Sequence, residues 1–188
     1  VRRAKAANPK LVYCLDPAFG DDGRIYARPG VAEAMAEKLL PLADVVTPNA
    51  FELSVLSGIE ISDGAAATRA VKKLARPFVV AKSVPAPGAI GALTIINDAA
   101  WFAATPVVKD APRGAGDLFA ALFFGHFMSG VLTARALDLA TRSVHHVVAV
   151  GAGLPEMRLI AEQDALRAPP TPENYRFGPL EGKIHALA

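Results

Sequence analysis

Short apolar segments alternate with helical segments along the first half of this chain, and that alternation limits the folds open to it. Residues 11–15, 44–46 and 78–82 are predicted strands, because each is a short, mainly apolar run that ends at polar or turn-forming residues. Helical spacing predicts helices that separate these strands, at 31–40, 50–57 and 65–75. Strands connected through helices pair in parallel, and helices cover both faces of their sheet. The sequence therefore predicts an α/β fold with a mostly parallel central sheet flanked by helices.

The second half of the chain carries longer apolar runs with fewer interruptions. The predicted elements are, in order, a loop at 84–91, a hairpin of 93–96 and 100–103 around Asn97-Asp98, helices at 118–132, 133–152 and 155–166, and a tail from Pro169 with little periodicity. A length of 188 residues suits one domain with its own core. We therefore treat residues 1–188 as a single domain.

Composition narrows the partners of such a domain. A net charge of +2 without a concentrated basic patch argues against nucleic acid. No run reaches the ~20 apolar residues that a membrane span needs. Cys14 is the single cysteine, so no internal disulfide forms, and its apolar surroundings indicate a small core residue. These features predict a cytoplasmic protein with small-molecule ligands and no membrane partner.

A glycine-rich junction, Gly114-Ala115-Gly116-Asp117, stands directly before the long apolar run. The start of a helix offers unpaired N–H groups to an anion, and glycines let the backbone approach it closely. A carboxylate in the same turn is placed to take a proton from an attacking hydroxyl. The junction therefore indicates phosphoryl transfer, although Asp in the first turn of a helix also occurs for dipole reasons alone.

Polar residues stand at or just beyond the ends of the predicted strands. Asp16 follows the first strand, Thr47 follows the second, and Lys82 ends the third. In parallel sheets the ligand lies beyond the carboxyl ends of the strands. We therefore expect these three side chains to meet at one edge of the sheet, close to Asp117.

Two further features have competing interpretations. Glu52 follows Asn49 by three residues, which is the pattern of a capping box, but it could also help hold Mg²⁺ near phosphates. His145 and His146 are adjacent on a predicted helix and face different sides, so they are interpreted as packing or surface residues.

These motifs together resemble the pyridoxal kinases of the ribokinase-like superfamily. The resemblance rests on segments that occur in the family's order: Asp16-Pro-Ala-Phe-Gly-Asp21, Asp44-Val-Val-Thr-Pro-Asn-Ala-Phe-Glu52, Lys82 at its strand end, Gly114-Ala-Gly-Asp117, and Pro172-Glu-Asn-Tyr175 in the tail. It implies a ribokinase-like fold and ATP-dependent phosphorylation of the 5′-hydroxymethyl group of pyridoxal and related B6 vitamers. It also implies a homodimer, Mg²⁺ and a monovalent cation.

The resemblance assigns roles residue by residue. Asp117 would contact the substrate and act as catalytic base, and the backbone amides of Gly114, Ala115 and Gly116 would form the anion hole. The remaining assignments concern the nucleotide and its metal: Asp16, Thr47 and Glu52 around the ATP phosphates and Mg²⁺, Lys82 near the phosphates, and Thr105, Pro106, Val107 and Val108 along the adenosine site.

The chain departs from the family's pattern in two ways. Ala115 stands where Thr or Val is more usual, a change that keeps the backbone amides. Members of the family also begin with a further N-terminal segment, so the fold is expected to be incomplete at its N-terminus. The chain would hold most of the ATP half with little of the substrate pocket, and we expect residues 1–188 alone to be a poor kinase.

Three alternatives stay open. Another ribokinase-like kinase could act on hydroxymethylpyrimidine, although that branch often carries Cys at the position of Asp117. A sugar kinase is the second alternative. The third is a non-catalytic nucleotide-binding module, which the incomplete N-terminus favours and the intact Asp117, Lys82 and Glu52 oppose.

Overall fold

A six-stranded sheet organises residues 1–180, the part of the chain that the computed structural model describes. Residues 181–188, which the predicted domain includes, lie outside the described residues. The strands are β1 (Cys14–Leu15), β2 (Gly20–Asp21), β3 (Arg24–Ile25), β4 (Val45–Val46), β5 (Phe78–Ala86), β6 (Ala89–Ile96), β7 (Ala99–Pro106) and β8 (Arg176–Pro179). The order in the large sheet is β1-β4-β5-β6-β7-β8, while β2 and β3 form a separate hairpin.

The helices cover this sheet on both faces, as predicted. They are α1 (Arg2–Ala7), α2 (Val31–Ala34), α3 (Ala50–Ser57), α4 (Gly64–Leu74), α5 (Ala115–Met128), α6 (Thr133–Val150) and α7 (Gln163–Arg167). One core cluster joins α3 and α4 to the sheet through buried residues such as Leu53, Val71 and Leu93. A second cluster joins α5 and α6 to the sheet through Phe123 and Leu137. None of the helices within residues 1–180 is long and apolar enough to cross a membrane.

The predicted α/β fold is confirmed, with parallel pairing confined to the strands that come first in the chain. β1 pairs with β4 and β4 with β5 in parallel, which aligns their carboxyl ends. β5, β6 and β7 are joined by short hairpins and pair antiparallel, and β8 pairs antiparallel with β7 after the long segment that contains α5, α6 and α7. The sheet therefore changes from parallel to antiparallel pairing at β5, the strand that carries Lys82.

Two helices begin where their capping residues predict. Asn49 caps α3 and accepts the N–H of Glu52 at 2.8 Å, and Gly58 ends that helix in a left-handed conformation at φ 69°. Asp63 caps α4 in the same way, through the N–H of Ala66 at 2.7 Å. Local side-chain to backbone hydrogen bonds fix both starts, so the sequence alone suffices to find them.

The loop predicted at 84–91 is wrong, because β5 and β6 continue through it. Pro85 pairs with Ile90 and Ala86 with Ala89, which leaves Pro87-Gly88 as a two-residue turn. Gly88 has φ +66°, a conformation that glycine adopts without strain. Proline and glycine mark a turn correctly here, but the turn is far shorter than the cluster of such residues indicates.

Other predicted boundaries also require correction. A helix at 155–166 is wrong: within that range turns extend to 162, and only α7 follows. The predicted helix at 31–40 is α2 followed by a π-helical turn at Met35–Leu39 and a 3₁₀ turn at Leu40–Leu42 that contains Pro41. The segment after Phe19, for which no strand is predicted, contains the β2–β3 hairpin, and part of the tail from Pro169 forms β8. Strand pairing decides the last two of these segments.

Candidate active site

Three polar side chains predicted from the strand ends meet in one cluster. Thr47 donates its hydroxyl to Oδ1 of Asp16 at 3.0 Å, and Lys82 Nζ lies 2.6 Å from the same oxygen. The Lys82 side chain is only 8% exposed. A buried ammonium requires a paired charge, and Asp16 supplies it. The predicted meeting of these residues at one sheet edge is confirmed.

The ammonium of Lys82 also joins the sheet to the glycine-rich junction. Its Nζ donates to the carbonyl oxygen of Gly116 at 3.2 Å, in the first turn of α5. The backbone of β5 is fixed at this point, since the Lys82 N–H donates to the Pro48 carbonyl at 2.8 Å. Lys82 therefore stands at the junction of three segments, those that follow β1 and β4 and the one that begins α5.

The first turn of α5 is open to an anion. Gly114 is the N-cap residue, its φ is +92°, and no described side chain caps the helix. The first intrahelical bond recorded there runs from the Leu118 N–H to the Gly114 carbonyl at 3.0 Å. The N–H groups of Ala115, Gly116 and Asp117 come before this bond and have no partner within the helix. Together with the positive end of the helix dipole, they form a site suited to a phosphate.

Asp117 lies in that first turn and is exposed. Within residues 1–180 it takes part in no ion pair and accepts no side-chain hydrogen bond, so the carboxylate is available to a bound hydroxyl. The carboxylate thus stands beside an anion-binding turn without being neutralised by a neighbouring cation. A general base must lie within hydrogen-bond reach of the proton that it takes, and an exposed, unpaired carboxylate is free to do so.

Glu52 serves as a structural clamp. Its Oε2 accepts the N–H of Asn49 at 3.0 Å, and its Oε1 accepts the N–H groups of Phe19 at 2.9 Å and Gly20 at 3.4 Å. The residue is 1% exposed, and burial raises the pKa of its carboxyl above the ordinary value despite these hydrogen bonds. The capping-box interpretation is confirmed. A role in holding metal stays a prediction, since three of the carboxylate's roughly four acceptor positions are occupied.

A pocket of about 200 Å³ extends from the cluster over β6 and β7. Most of its wall is apolar, and it contains the residues predicted for the adenosine site and part of the predicted anion hole: Thr105, Pro106, Val107, Val108, Ala115 and Gly116. Lys82 lines the same pocket. One cavity therefore contains Lys82, part of the predicted anion hole and the predicted adenosine residues. The other predicted site residues do not line it: Asp16, Thr47, Glu52, Gly114 and Asp117.

Sequence reasoning missed one whole wall of this pocket. Thr141, Val144, His145 and Val148 project into the lining from one face of α6. Their spacing of three, four and seven residues is that of a single helical face, so the signal was present in the sequence. The direction in which that face points became clear only from the packing of α6 on the sheet. Ser83, at φ 55° beside the β5 irregularity, is also part of the lining.

The pKa of Tyr26 reflects the negative charge near the site. Partial burial raises the pKa of Tyr26, and the carboxylates of Glu52, Asp21, Asp117 and Asp16 raise it further. Tyr26 directly follows β3 and is 58% exposed, and sequence reasoning did not single it out.

Cys14 lies in β1 beside the cluster without being activated by it. Burial raises the pKa of its thiol to about 11, the charge of Asp16 adds to this, and Lys82 opposes it. A thiol with such a pKa stays protonated at neutral pH and is a poor nucleophile. The interpretation of Cys14 as a small packing residue agrees with these surroundings.

Residues 1–180 contain no group of three His, Cys, Asp or Glu side chains arranged to hold a metal ion. Asp16 contributes its carboxylate to the cluster, and both of its recorded contacts use Oδ1. A metal with few protein ligands is the usual situation for Mg²⁺ beside a nucleotide, where phosphates and water complete the shell. The donor set fits a nucleotide-borne Mg²⁺ and does not fit a closed protein cage.

Comparison with known proteins agrees with this geometry. Residues 3–158 match the phosphomethylpyrimidine kinase family. The chain belongs to that family. It is 39% identical to the pyridoxal kinase PdxY of Rubrobacter xylanophilus, over 90% of this chain and 62% of that kinase. The pyridoxal kinase of Leishmania donovani, solved in complex with ADP and pyridoxine, matches with a TM-score of 0.81 and 30% identity over 95% of this chain and 65% of that one.

A third relative supports the fold alone. The pyridoxal kinase of Entamoeba histolytica has a TM-score of 0.83 with 24% identity, over 95% of this chain and 66% of that chain. The chain thus spans 62% of the length of the Rubrobacter kinase and 65% of the Leishmania kinase. Because the chain spans only part of these kinases, their full activity is a proposal for the protein that carries it.

Proposed function

We propose that the protein carrying this chain is a pyridoxal kinase, which transfers the γ-phosphoryl group of ATP to the 5′-hydroxymethyl group of pyridoxal and related B6 vitamers. One observation carries the proposal: the Lys82–Asp16 pair, 2.6 Å apart, contacts the uncapped first turn of α5 that holds Asp117. The relatives named pyridoxal kinase support the choice of substrate.

The phosphate end of the site acts through charge and position. The N–H groups at the start of α5 and the Lys82 ammonium hold the transferring phosphoryl group and stabilise its negative charge. Phosphoryl transfer needs little covalent help from the protein, so preorganised donors of this kind supply most of the rate enhancement. Asp16 and Thr47 hold the ammonium of Lys82 in place through the contacts described above.

Asp117 handles the proton. Its carboxylate accepts the proton of the vitamer's 5′-hydroxyl as that oxygen forms a bond to the γ-phosphorus. The bond from the γ-phosphorus to the β–γ bridging oxygen breaks, and ADP leaves. A positioned general base contributes about 10²–10⁴ in rate.

We assign the Mg²⁺ contact to Asp16, with Thr47 beside it and Glu52 acting only through water. The unshared Oδ2 of Asp16 supports this, whereas the backbone contacts of Glu52 leave it little capacity for direct ligation. When bound, Mg²⁺ neutralises charge on the nucleotide phosphates. The resemblance to the family further extends the proposal to a monovalent cation, a homodimer and a cytoplasmic location.

The family's description names a second candidate, a kinase of hydroxymethylpyrimidine or its phosphate. Both candidates use the same phosphate site and differ in the acceptor that stands before Asp117. An Asp at this position supports the pyridoxal branch, since the resemblance associates Cys with the other.

Acceptor competition tests the two candidates. Purified protein is incubated with Mg-ATP and either pyridoxal or hydroxymethylpyrimidine, and the phosphorylated product is identified by mass. We expect pyridoxal 5′-phosphate as the main product, and inhibition of its formation by pyridoxine. Preferential phosphorylation of the pyrimidine, or of neither acceptor while ATP still binds, would overturn the assignment. Native mass spectrometry of the same sample tests the homodimer.

A further inference from the structure

His145 lies in the wall of the pocket with its imidazole uncommitted. It shares one face of α6 with Thr141, Val144 and Val148, all of which line the cavity. The residue is half-buried, and its ring forms no ion pair within residues 1–180. An imidazole carries two polar atoms that need partners when water is excluded. A bound ligand would supply those partners.

The neighbouring His146 provides the contrast. Its Nε2 lies 2.8 Å from Oε2 of Glu162, which ties α6 to the segment that precedes α7. Adjacent positions on a helix face different directions, and His146 does not line the pocket. One histidine of the pair thus has a structural partner, and the other is directed to the cavity.

His145 lies on α6, a different element from those that carry the predicted phosphate contacts Lys82 and Gly116. α6 packs over β6 and β7, whereas Lys82 and Gly116 lie where β5 meets the start of α5. A nucleoside triphosphate whose phosphates contact Lys82 would extend its nucleoside between α6 and β7. The wall there consists mostly of Val, Pro and Ala side chains, so a directional polar group is rare along it.

We propose that His145 is a specificity-determining residue that hydrogen-bonds the nucleoside part of the bound nucleotide, a role that rests on the proposed kinase function. A neutral imidazole offers one donor and one acceptor, which suits the mixed donors and acceptors of a purine edge or a ribose. Burial lowers the pKa of His145, and the nearby His146 lowers it further, so the ring is neutral at physiological pH. The apolar walls supply contact area for the nucleoside, and His145 fixes its orientation.

Calorimetric titration tests this role with the protein and four ligands: Mg-ADP, Mg-GDP, Mg-CDP and inorganic tripolyphosphate. His145→Ala is expected to weaken ADP binding by about five- to tenfold, the equivalent of one hydrogen bond. It is also expected to reduce the preference for ADP over GDP and CDP. Tripolyphosphate, which lacks a nucleoside, should bind the variant and the wild type equally.

Two matched variants separate recognition from folding. His145→Gln keeps a donor and an acceptor, so it should bind ADP within about twofold of the wild type. His146→Gln alters the neighbouring ring outside the pocket and should leave ADP affinity and nucleotide preference unchanged. Equal ADP binding by His145→Ala and the wild type would overturn the inference, as would equal weakening of ADP and tripolyphosphate. Failure of the wild type to bind ADP at all would instead overturn the proposed function.

Discussion

Substitution of Glu52 by Gln distinguishes a structural clamp from a metal ligand. The carboxylate accepts three backbone N–H groups, from Asn49, Phe19 and Gly20. An amide keeps one acceptor oxygen, which can still receive Phe19 and Gly20, but it turns an NH₂ group toward the N–H of Asn49. One buried donor is then left unpaired, which costs about 1–3 kcal/mol.

The assay is thermal and urea unfolding without metal or nucleotide. For a domain of this length, a loss of about 1–3 kcal/mol in the free energy of unfolding lowers the melting temperature by about 2–12 °C. Glu60→Gln is the matched control, because Glu60 is exposed and forms no ion pair within residues 1–180. Its melting temperature should stay at the wild-type value. Unchanged stability of Glu52→Gln in metal-free buffer would refute the clamp.

The pH dependence of the same variant has a defined sign. Burial raises the folded pKa of Glu52 above its ordinary value of 4.5, so the protonated acid is less costly to bury than the carboxylate. The stabilisation from Glu52 is full below the ordinary pKa and is lost as pH rises through the raised folded pKa. Gln does not titrate. The wild type should therefore exceed Glu52→Gln in stability by more at about pH 5 than at about pH 8.

Three further substitutions and treatments address the cluster. Lys82→Met removes the ammonium that contacts Asp16 and Gly116, so ADP binding should weaken by about 10- to 100-fold in calorimetry; an unchanged affinity would show that the phosphates lie elsewhere. Gly114→Ala places a Cβ at φ +92° and 3.1 Å from Met157, and should lower the free energy of unfolding by about 1–2 kcal/mol in urea titration, with Gly88→Ala as a comparison at a turn that is open on all sides. Alkylation of Cys14 by iodoacetamide should be slow at neutral pH and accelerate only as pH approaches 11; rapid labelling at neutral pH would contradict the protonated thiol.

Local rules account for the part of the site that the sequence predicts. Asp16, Thr47 and Lys82 each follow or end a short apolar run, and parallel pairing of β1, β4 and β5 then brings them to one edge. Asn49 and Glu52 form a capping box within four residues. In each case the deciding interaction is close in sequence or follows from the pairing rules of parallel strands.

Long-range packing decides what the sequence does not predict. The contacts of Glu52 with Phe19 and Gly20 cross more than thirty positions. β8 exists because Arg176–Pro179 pairs with β7, which no local pattern in the tail indicates. His145 differs from His146 only in the face of α6 that it occupies, and the packing of α6 determines which face meets the pocket.

The most direct test of the kinase assignment is the rate of ATP-dependent conversion of pyridoxal to pyridoxal 5′-phosphate by the purified protein and by its Asp117→Asn variant. The measurement is made on protein of its natural length, with ADP affinity determined on the same samples. We predict that Asp117→Asn binds ADP as the wild type does and loses about 10²–10⁴ in rate. A variant rate within a few-fold of the wild type, or a wild type that binds ADP but leaves pyridoxal unchanged, would contradict the account.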